Sequence, residues 1–269
     1  MGRKESVLYV IFRASFTIIC IWLAVYIIFG IQLKSPYASL YEGFQEKSSP
    51  FFSEAYVINM DMYPDRFKRV EANAKDAGFT IKRWRGVQIK EEDVRSLPEK
   101  GIGTLIFTSR AGGARNLGAI GCFLAHRGLL EHIAANYTGV GTFICEDDVV
   151  IPSDFFSKLE AVSSEIPEDW DIIYMNKYML DTTTVSTGVL KLKPSITANT
   201  NMGTWAFIVK NSSIGGKILP LLKQMIDEID LQISKNADIL NLYLIDPPIT
   251  YLHSAANESI IEKIDKGTN

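Results

Sequence analysis

The chain has 269 residues and a formal net charge of −3. That length accommodates one large α/β domain with a sizeable core, and no break in composition divides it midway. The acidic balance and the lack of a basic stripe exclude the electrostatic footprint of a nucleic-acid binder, so no nucleic-acid partner is expected.

Residues 14–33, ASFTIICIWLAVYIIFGIQL, carry no charge, whereas Arg3, Lys4 and Arg13 precede them and only Lys34 closely follows. About 20 apolar residues at about 1.5 Å each cross the hydrocarbon core of a bilayer, and the positive residues hold the N-terminus on the cytoplasmic side. This reads as a cytoplasmic tail at 1–13 and a transmembrane signal anchor at 14–33. A cleaved signal peptide has a shorter apolar region and a small-residue cleavage site, which this segment lacks. The expectation is a single-pass type II membrane protein of the secretory pathway, Golgi or endoplasmic reticulum, with its body lumenal. Sequons at Asn136, Asn211 and Asn257 are compatible with that route. Of three cysteines, Cys20 lies in the apolar segment. Cys122 and Cys145 both sit in apolar stretches and read as free buried thiols, a bridge between them being the alternative.

Residues 34–53 mix Ser, Pro and Gly with aromatics and no period, as a stem would, and the folded body is expected at 54–269. A short apolar strand at 55–60 leads into a turn and an amphipathic helix at 65–77, closed by Gly78. A strand at 80–87 and a short helix at 91–98 follow. The Gly- and Arg-rich stretch at 99–117 has no period, and loops of that length are usually functional or disordered. A helix at 118–135 places Ile120, Phe123, Leu130 and Ile133 on one apolar face, together with His126. A buried strand at 141–145 runs into Glu146-Asp147-Asp148, and a helix at 153–164 begins with Ser153 as N-cap. Further strands are expected at 171–175, at 189–192 as an edge, and at 204–209. Helices are expected at 214–225 and 237–242, with 243–245 leading into Pro247-Pro248. The alternation predicts a mixed α/β fold with a mostly parallel sheet.

Three consecutive carboxylates at the end of an apolar strand are costly unless paired or bound to a cation. Alternate residues share a face, so Glu146 and Asp148 point one way and Asp147 the other. Ligands of open α/β sheets bind beyond the carboxyl ends of the strands, where this cluster lies. Glu146 and Asp148 are therefore candidate ligands of a hard divalent cation that also takes diphosphate oxygens. The competing reading is a solvated acidic loop at the start of the next helix.

The ordered series AYVINMDMYPDR, GAIGCFLAH, FICEDDV, DWDIIYM, WAFIV and IDLQI resembles glycosyltransferase family 25, the group of lipooligosaccharide and procollagen galactosyltransferases. Asn59-Met60-Asp61, Asp65-Arg66, the helix ending in His126 and Glu146-Asp147-Asp148 carry the resemblance, which covers residues 55–254. Ala119 and Ala125 stand where the family pattern has Glu and Ser. The resemblance implies a GT-A fold, a UDP-sugar donor, galactose before glucose, and manganese, with magnesium as the alternative ion. It implies a glycan or protein hydroxyl as acceptor and inverting transfer.

On that reading Asn59, at the end of the first strand, and Arg66 contact the nucleotide together with Asp147. Otherwise Asn59 is an Asx-turn residue and Arg66 a surface arginine. His126 is either a core histidine or a support for the carboxylate cluster from the facing helix. No second His or Cys is placed at metal-ligand spacing with it, so no zinc site is expected. Asp230, after an apolar helix, is the candidate base for the acceptor hydroxyl, against a solvated helix-end acid. His253 and Ser254 are placed to close the donor site. The alternatives to a transferase are a metal-dependent phosphoryl-transfer enzyme, for which the sequence shows no phosphate-loop motif, and an anchored binding or scaffold protein with weakened chemistry.

Overall fold

The computed structural model describes residues 46–102, 117–176, 181–194 and 203–253. The expected anchor at 14–33, and the stem up to residue 45, lie outside the described residues. Among the described residues no helix is long and apolar enough to cross a membrane.

The chain opens as strand, helix, strand. Glu54–Asn59 (β1) is buried almost throughout, as a strand covered on both faces must be. Pro64–Ala77 (α1) starts on a proline whose fixed φ suits the first helical turn. It stops at Gly78, whose φ of 105° lets its N–H reach the carbonyls of Ala74 and Lys75. Lys82–Arg85 (β2) follows. The short helix expected at 91–98 is a pair of 3-10 turns, Glu91–Ser96 and Pro98–Lys100.

The remaining elements are Leu117–Asn136 (α2), Gly141–Glu146 (β3), Val149–Val150 (β4), Phe155–Ser163 (α3), Ile172–Tyr174 (β5), Thr182–Ser186 (β6) and Val189–Leu192 (β7). Ala206–Lys210 (β8) passes into a helical run of Asn211–Ser213, a π-turn at Ile214–Ile218 and Leu219–Leu221, together α4. Ile229–Ser234 (α5), Leu242–Ile245 (β9) and Tyr251–Leu252 (β10) complete it.

Eight strands form one sheet in the order β2-β1-β3-β8-β5-β9-β7-β6, and β4 pairs with β10 in a separate ribbon. Only β8 and β7 run against the other six, so the sheet is mixed and largely parallel. Side-chain alternation splits the core between the two faces. Tyr56, Ile58, Ile144 and Phe207 meet Ile120, Phe123 and Ile133 of α2 on one side. On the other, Val57, Phe143, Cys145 and Ile208 meet Val70 and Ala74 of α1 and Phe155 and Leu159 of α3.

Several expectations need correction. Residues 46–53, expected as the end of the stem, pack against the body. Phe51 and Phe52 are buried, and the Lys47 and Ser53 N–H groups donate to the Gly78 and Gly141 carbonyls. Helix α3 is preceded by Asp154 rather than capped by Ser153. The helix expected at 214–225 ends at Leu221, after a π-turn at Gly215-Gly216. Residues 242–245 form a strand and not a helix end, because a short apolar run has no period to separate the two. Strand β7 is not the sheet edge, because β6 covers it. Cys122 and Cys145 are both free, as expected, but Cys122 is only partly buried. Asn211 is buried and accepts the Thr142 hydroxyl at 2.9 Å, which leaves no room for a glycan at that sequon.

Candidate functional site

The parallel register sets the C-terminal ends of three strands side by side, with Ile58 beside Glu146 and Asn59 beside Arg85. Strand β8 runs the opposite way next to β3, so the residues leading into it, Thr204 and Trp205, arrive at the same end. Helix α2 lies over this end because Gly121 packs directly on the chain after β2. A Cβ at Gly121 would stand 2.2 Å from the Val87 carbonyl oxygen. Between these elements lies a cavity of about 80 Å³ lined by Ile58, Met60, Val87, Cys122, His126 and Glu146, among others.

Glu146 is the last residue of β3. Its N–H donates to the Trp205 carbonyl at 2.8 Å, and its Oε1 accepts the Thr204 hydroxyl at 2.9 Å. Burial, then the charge of Asp148, push its pKa up to about 8, against the opposing hydrogen bond from Thr204. Asp148 is half-buried, and its Oδ1 is enclosed without a hydrogen-bond partner. Burial and the neighbouring Asp147 charge raise the Asp148 pKa, while Arg66 and Arg69 oppose the rise. Both carboxylates are thus uncomfortable as bare anions, the condition a bound cation relieves. The His253 N–H donates to the Asp148 carbonyl at 2.8 Å through the β4–β10 ribbon. Ser254 lies outside the described residues.

Asp147 turns to the other side. Asn59 Nδ2 donates to its Oδ2 at 2.7 Å, Arg66 Nη1 to its Oδ1 at 3.2 Å, and Arg69 Nη2 to its backbone carbonyl at 3.1 Å. Asn59 is 1% exposed. Its second amide hydrogen goes to the Tyr63 carbonyl at 2.9 Å, and its Oδ1 accepts Arg83 Nε at 2.7 Å. The three expected nucleotide contacts are therefore bonded to one another. Asn59 has both amide hydrogens committed inside the protein, so the expected reading of a base by its amide is corrected to bracing of the turn after β3.

Asp230 follows α4 by several residues and lies in the first turn of the next helix, α5. The Gly203 N–H donates to its Oδ2 at 2.6 Å and the Leu231 N–H to its Oδ1 at 2.8 Å. Burial raises its pKa, Leu231 opposes, and Glu228 adds to the rise. Its charge contributes to the upward shift of Glu146, which places both acids in one electrostatic neighbourhood.

His126 is 1% exposed and stacks on Phe207 with ring centroids 6.2 Å apart. Burial lowers its pKa to about 4, so the ring is neutral. Its Nδ1 lies 3.0 Å from the Cys122 carbonyl oxygen, and its Nε2 is buried without a partner. The ring makes no hydrogen bond to the carboxylate cluster. The expectation that no Cys accompanies His126 is corrected as well. Cys122 lies one helical turn earlier, and Cys122, His126 and Glu146 bring three potential ligand atoms within 4.8 Å of one another. The spacing of four along α2 was visible in the sequence; the approach of Glu146 depends on how α2 lies across the sheet. Thr204 and Gly203, which hold Glu146 and Asp230, lie at or just before the start of the expected strand at 204–209, where nothing local shows which carboxylates they meet.

The sequence model of glycosyltransferase family 25 (LPS biosynthesis protein) matches residues 52–226. Among curated proteins, the human inactive glycosyltransferase 25 family member 3 is 28% identical over 135 residues, 47% of this chain and 22% of that protein. The probable inactive glycosyltransferase 25 family member 3 of Bos taurus is 27% identical over 135 residues, with the same shares covered. The chain thus spans about a fifth of the length of these relatives. Among solved structures, the apo-form glycosyltransferase GlyE of Streptococcus pneumoniae TIGR4 aligns with a TM-score of 0.37 at 11% identity, over 71% of this chain and 44% of that one.

Proposed function

We propose, from the premise that the chain belongs to glycosyltransferase family 25, that it moves a hexose from a UDP-sugar to a hydroxyl of a glycan or protein, with inversion. Galactose is the first sugar to test and glucose the second. The observation that carries this reading is the enclosed, unpartnered Oδ1 of Asp148, two residues from Glu146, at the strand end that borders the cavity. An orphaned carboxylate oxygen beside a second strained carboxylate fits a hard cation, Mn²⁺ or Mg²⁺. Glu146 and Asp148 would hold it, and a bound cation neutralises charge on a diphosphate leaving group.

The chain's own residues have distinct parts in this scheme. Ile58, Met60, Val87 and Ile89 give the cavity an apolar wall suited to a base. Asn59 and Arg66 position the acidic turn through Asp147. Asp230 takes the proton of the acceptor hydroxyl, and its raised pKa makes the ionised carboxylate a better base. His126 supports the site from α2 by packing alone, its ring stacked on Phe207 at the cavity wall. Membrane attachment through 14–33, with the body lumenal, belongs to the same proposal and rests on the charge pattern of the first 34 residues.

A second reading, a retained fold with weakened transfer, is favoured by Ala125. It borders the cavity beside His126 and presents no polar atom there. The names of the curated relatives point the same way. A donor screen of the full chain, reading nucleotide diphosphate release with and without Mn²⁺, separates the two. Manganese-dependent release from a UDP-hexose is expected. Binding of UDP with Mn²⁺ but no release from any sugar donor establishes the second reading instead.

A further inference from the structure

We infer that Cys122, His126 and Glu146 form a binding site for a thiophilic divalent ion, Zn²⁺ first, separate in chemistry from the hard-cation pair. Three observations converge on it. A thiol, an imidazole and a carboxylate offer atoms within 4.8 Å of one another, although Glu146 comes from a different element. Nδ1 of His126 lies 3.0 Å from the Cys122 carbonyl oxygen, which can only accept, and 3.5 Å from the Cys122 Sγ, so Nδ1 carries the proton on that side of the ring and Nε2 keeps its lone pair. That lone pair is buried in a ring 1% exposed, and no donor reaches it. A backbone carbonyl holding the far ring N–H is the usual way a protein presents a histidine to a metal.

The donor set selects the ion. Thiolate with imidazole suits Zn²⁺, whereas Mn²⁺ and Mg²⁺ prefer oxygen. Around tetrahedral zinc, ligand atoms lie about 3.5 Å apart, from bonds of roughly 2.0–2.3 Å. The cluster must therefore contract by about 1 Å at its longest separation. The half-buried Glu146 side chain can supply that movement by turning away from Thr204. The charges of Glu146, Asp230, Glu228 and Asp148 all bear on Cys122, so the local potential attracts a cation. Three protein ligands leave a fourth position open, and all three residues border the cavity. Glu146 is common to both sites, so zinc here would compete with a cation held by Glu146 and Asp148. That competition rests on the donor-cation reading, whereas zinc binding itself does not.

The test uses Co²⁺ as a coloured stand-in for zinc on the purified, reduced full-length chain in detergent. A thiolate-to-cobalt charge-transfer band is expected at one equivalent, removed by equimolar Zn²⁺ but lowered by Mn²⁺ only at large excess, because manganese prefers oxygen ligands. Cys122→Ser should abolish the band and His126→Ala should weaken cobalt binding at least tenfold, while Cys145→Ser leaves it intact. Circular dichroism of each variant identifies any that fails to fold. The wild-type thermal midpoint, which should rise with Zn²⁺, is a readout that needs no variant. Absence of the band, or its persistence in folded Cys122→Ser, overturns the site. A chain that shows the band but transfers no sugar retains the zinc site and loses the transferase reading.

Discussion

At the residue scale the acidic turn divides its labour. Asp147 is already paired with Arg66 and hydrogen-bonded by Asn59, whereas burial and neighbouring negative charge push the pKa values of Glu146 and Asp148 up. Asp148→Asn keeps the volume and removes the charge. The metal-free protein should then melt at the same temperature or slightly higher, because like-charge repulsion falls. The stabilisation by Mn²⁺ with UDP, about 2.7 kcal/mol at a hundredfold excess over the dissociation constant, should disappear in thermal melts. An equal rise in the variant would refute the cation assignment. Asn59→Ala makes the opposite demand. It leaves the buried Asp147 oxygen short of a donor and should lower unfolding free energy by about 3 kcal/mol in urea titrations. A loss below about 0.5 kcal/mol would mean that water replaces the amide at no cost.

At the element scale, strands carried the clearest sequence signal and the contacts between elements the weakest. β1, β3 and β8 are apolar runs bounded by polar residues, and α1 is bracketed by Pro64 and Gly78, so each was legible locally. Strand β9 was not, because LYLI fits a helix as readily as a strand until its neighbours β5 and β7 are known. The bond from Asn59 to Asp147 spans 88 residues and exists only because β1 and β3 are adjacent and parallel. Two predictions test how elements hold one another. Gly121→Ala puts a methyl group against the Val87 carbonyl, so α2 must shift. A destabilisation of about 2 kcal/mol and weaker UDP binding are expected from melting and calorimetry. Asp171 joins β5, α4 and the lead into β9, because Lys217, Ser213 and the Asn241 N–H all donate to its carboxylate. Burial alone would raise its pKa, but these partners prevail and lower it. A lowered folded pKa stabilises the fold above the unfolded value near 3.9, and this contribution is lost as pH falls through the folded value. Acid titration should therefore show a loss of stability below about pH 4 that Asp171→Asn flattens. An unchanged acid limb would remove Asp171 from that role.

At the scale of the whole molecule, the proposed topology makes the body inaccessible from the cytoplasm. Proteases added outside sealed microsomes should leave residues 46–269 intact until detergent is added, and complete digestion beforehand would reverse the orientation. The entry point of the chain has its own consequence. Phe52 sits among Phe79, Phe143, Phe155 and Phe156 with centroids 5.7–6.3 Å away, and Phe51 stands edge-on to Trp170. The four phenylalanines around Phe52 come from β3, α3 and the turn after α1, so residues 51 and 52 are packed into the centre of the fold rather than at its rim. A pull on the chain at residue 46 would therefore load this aromatic cluster. None of these rings lines the cavity, so such a load would be taken up apart from the pocket.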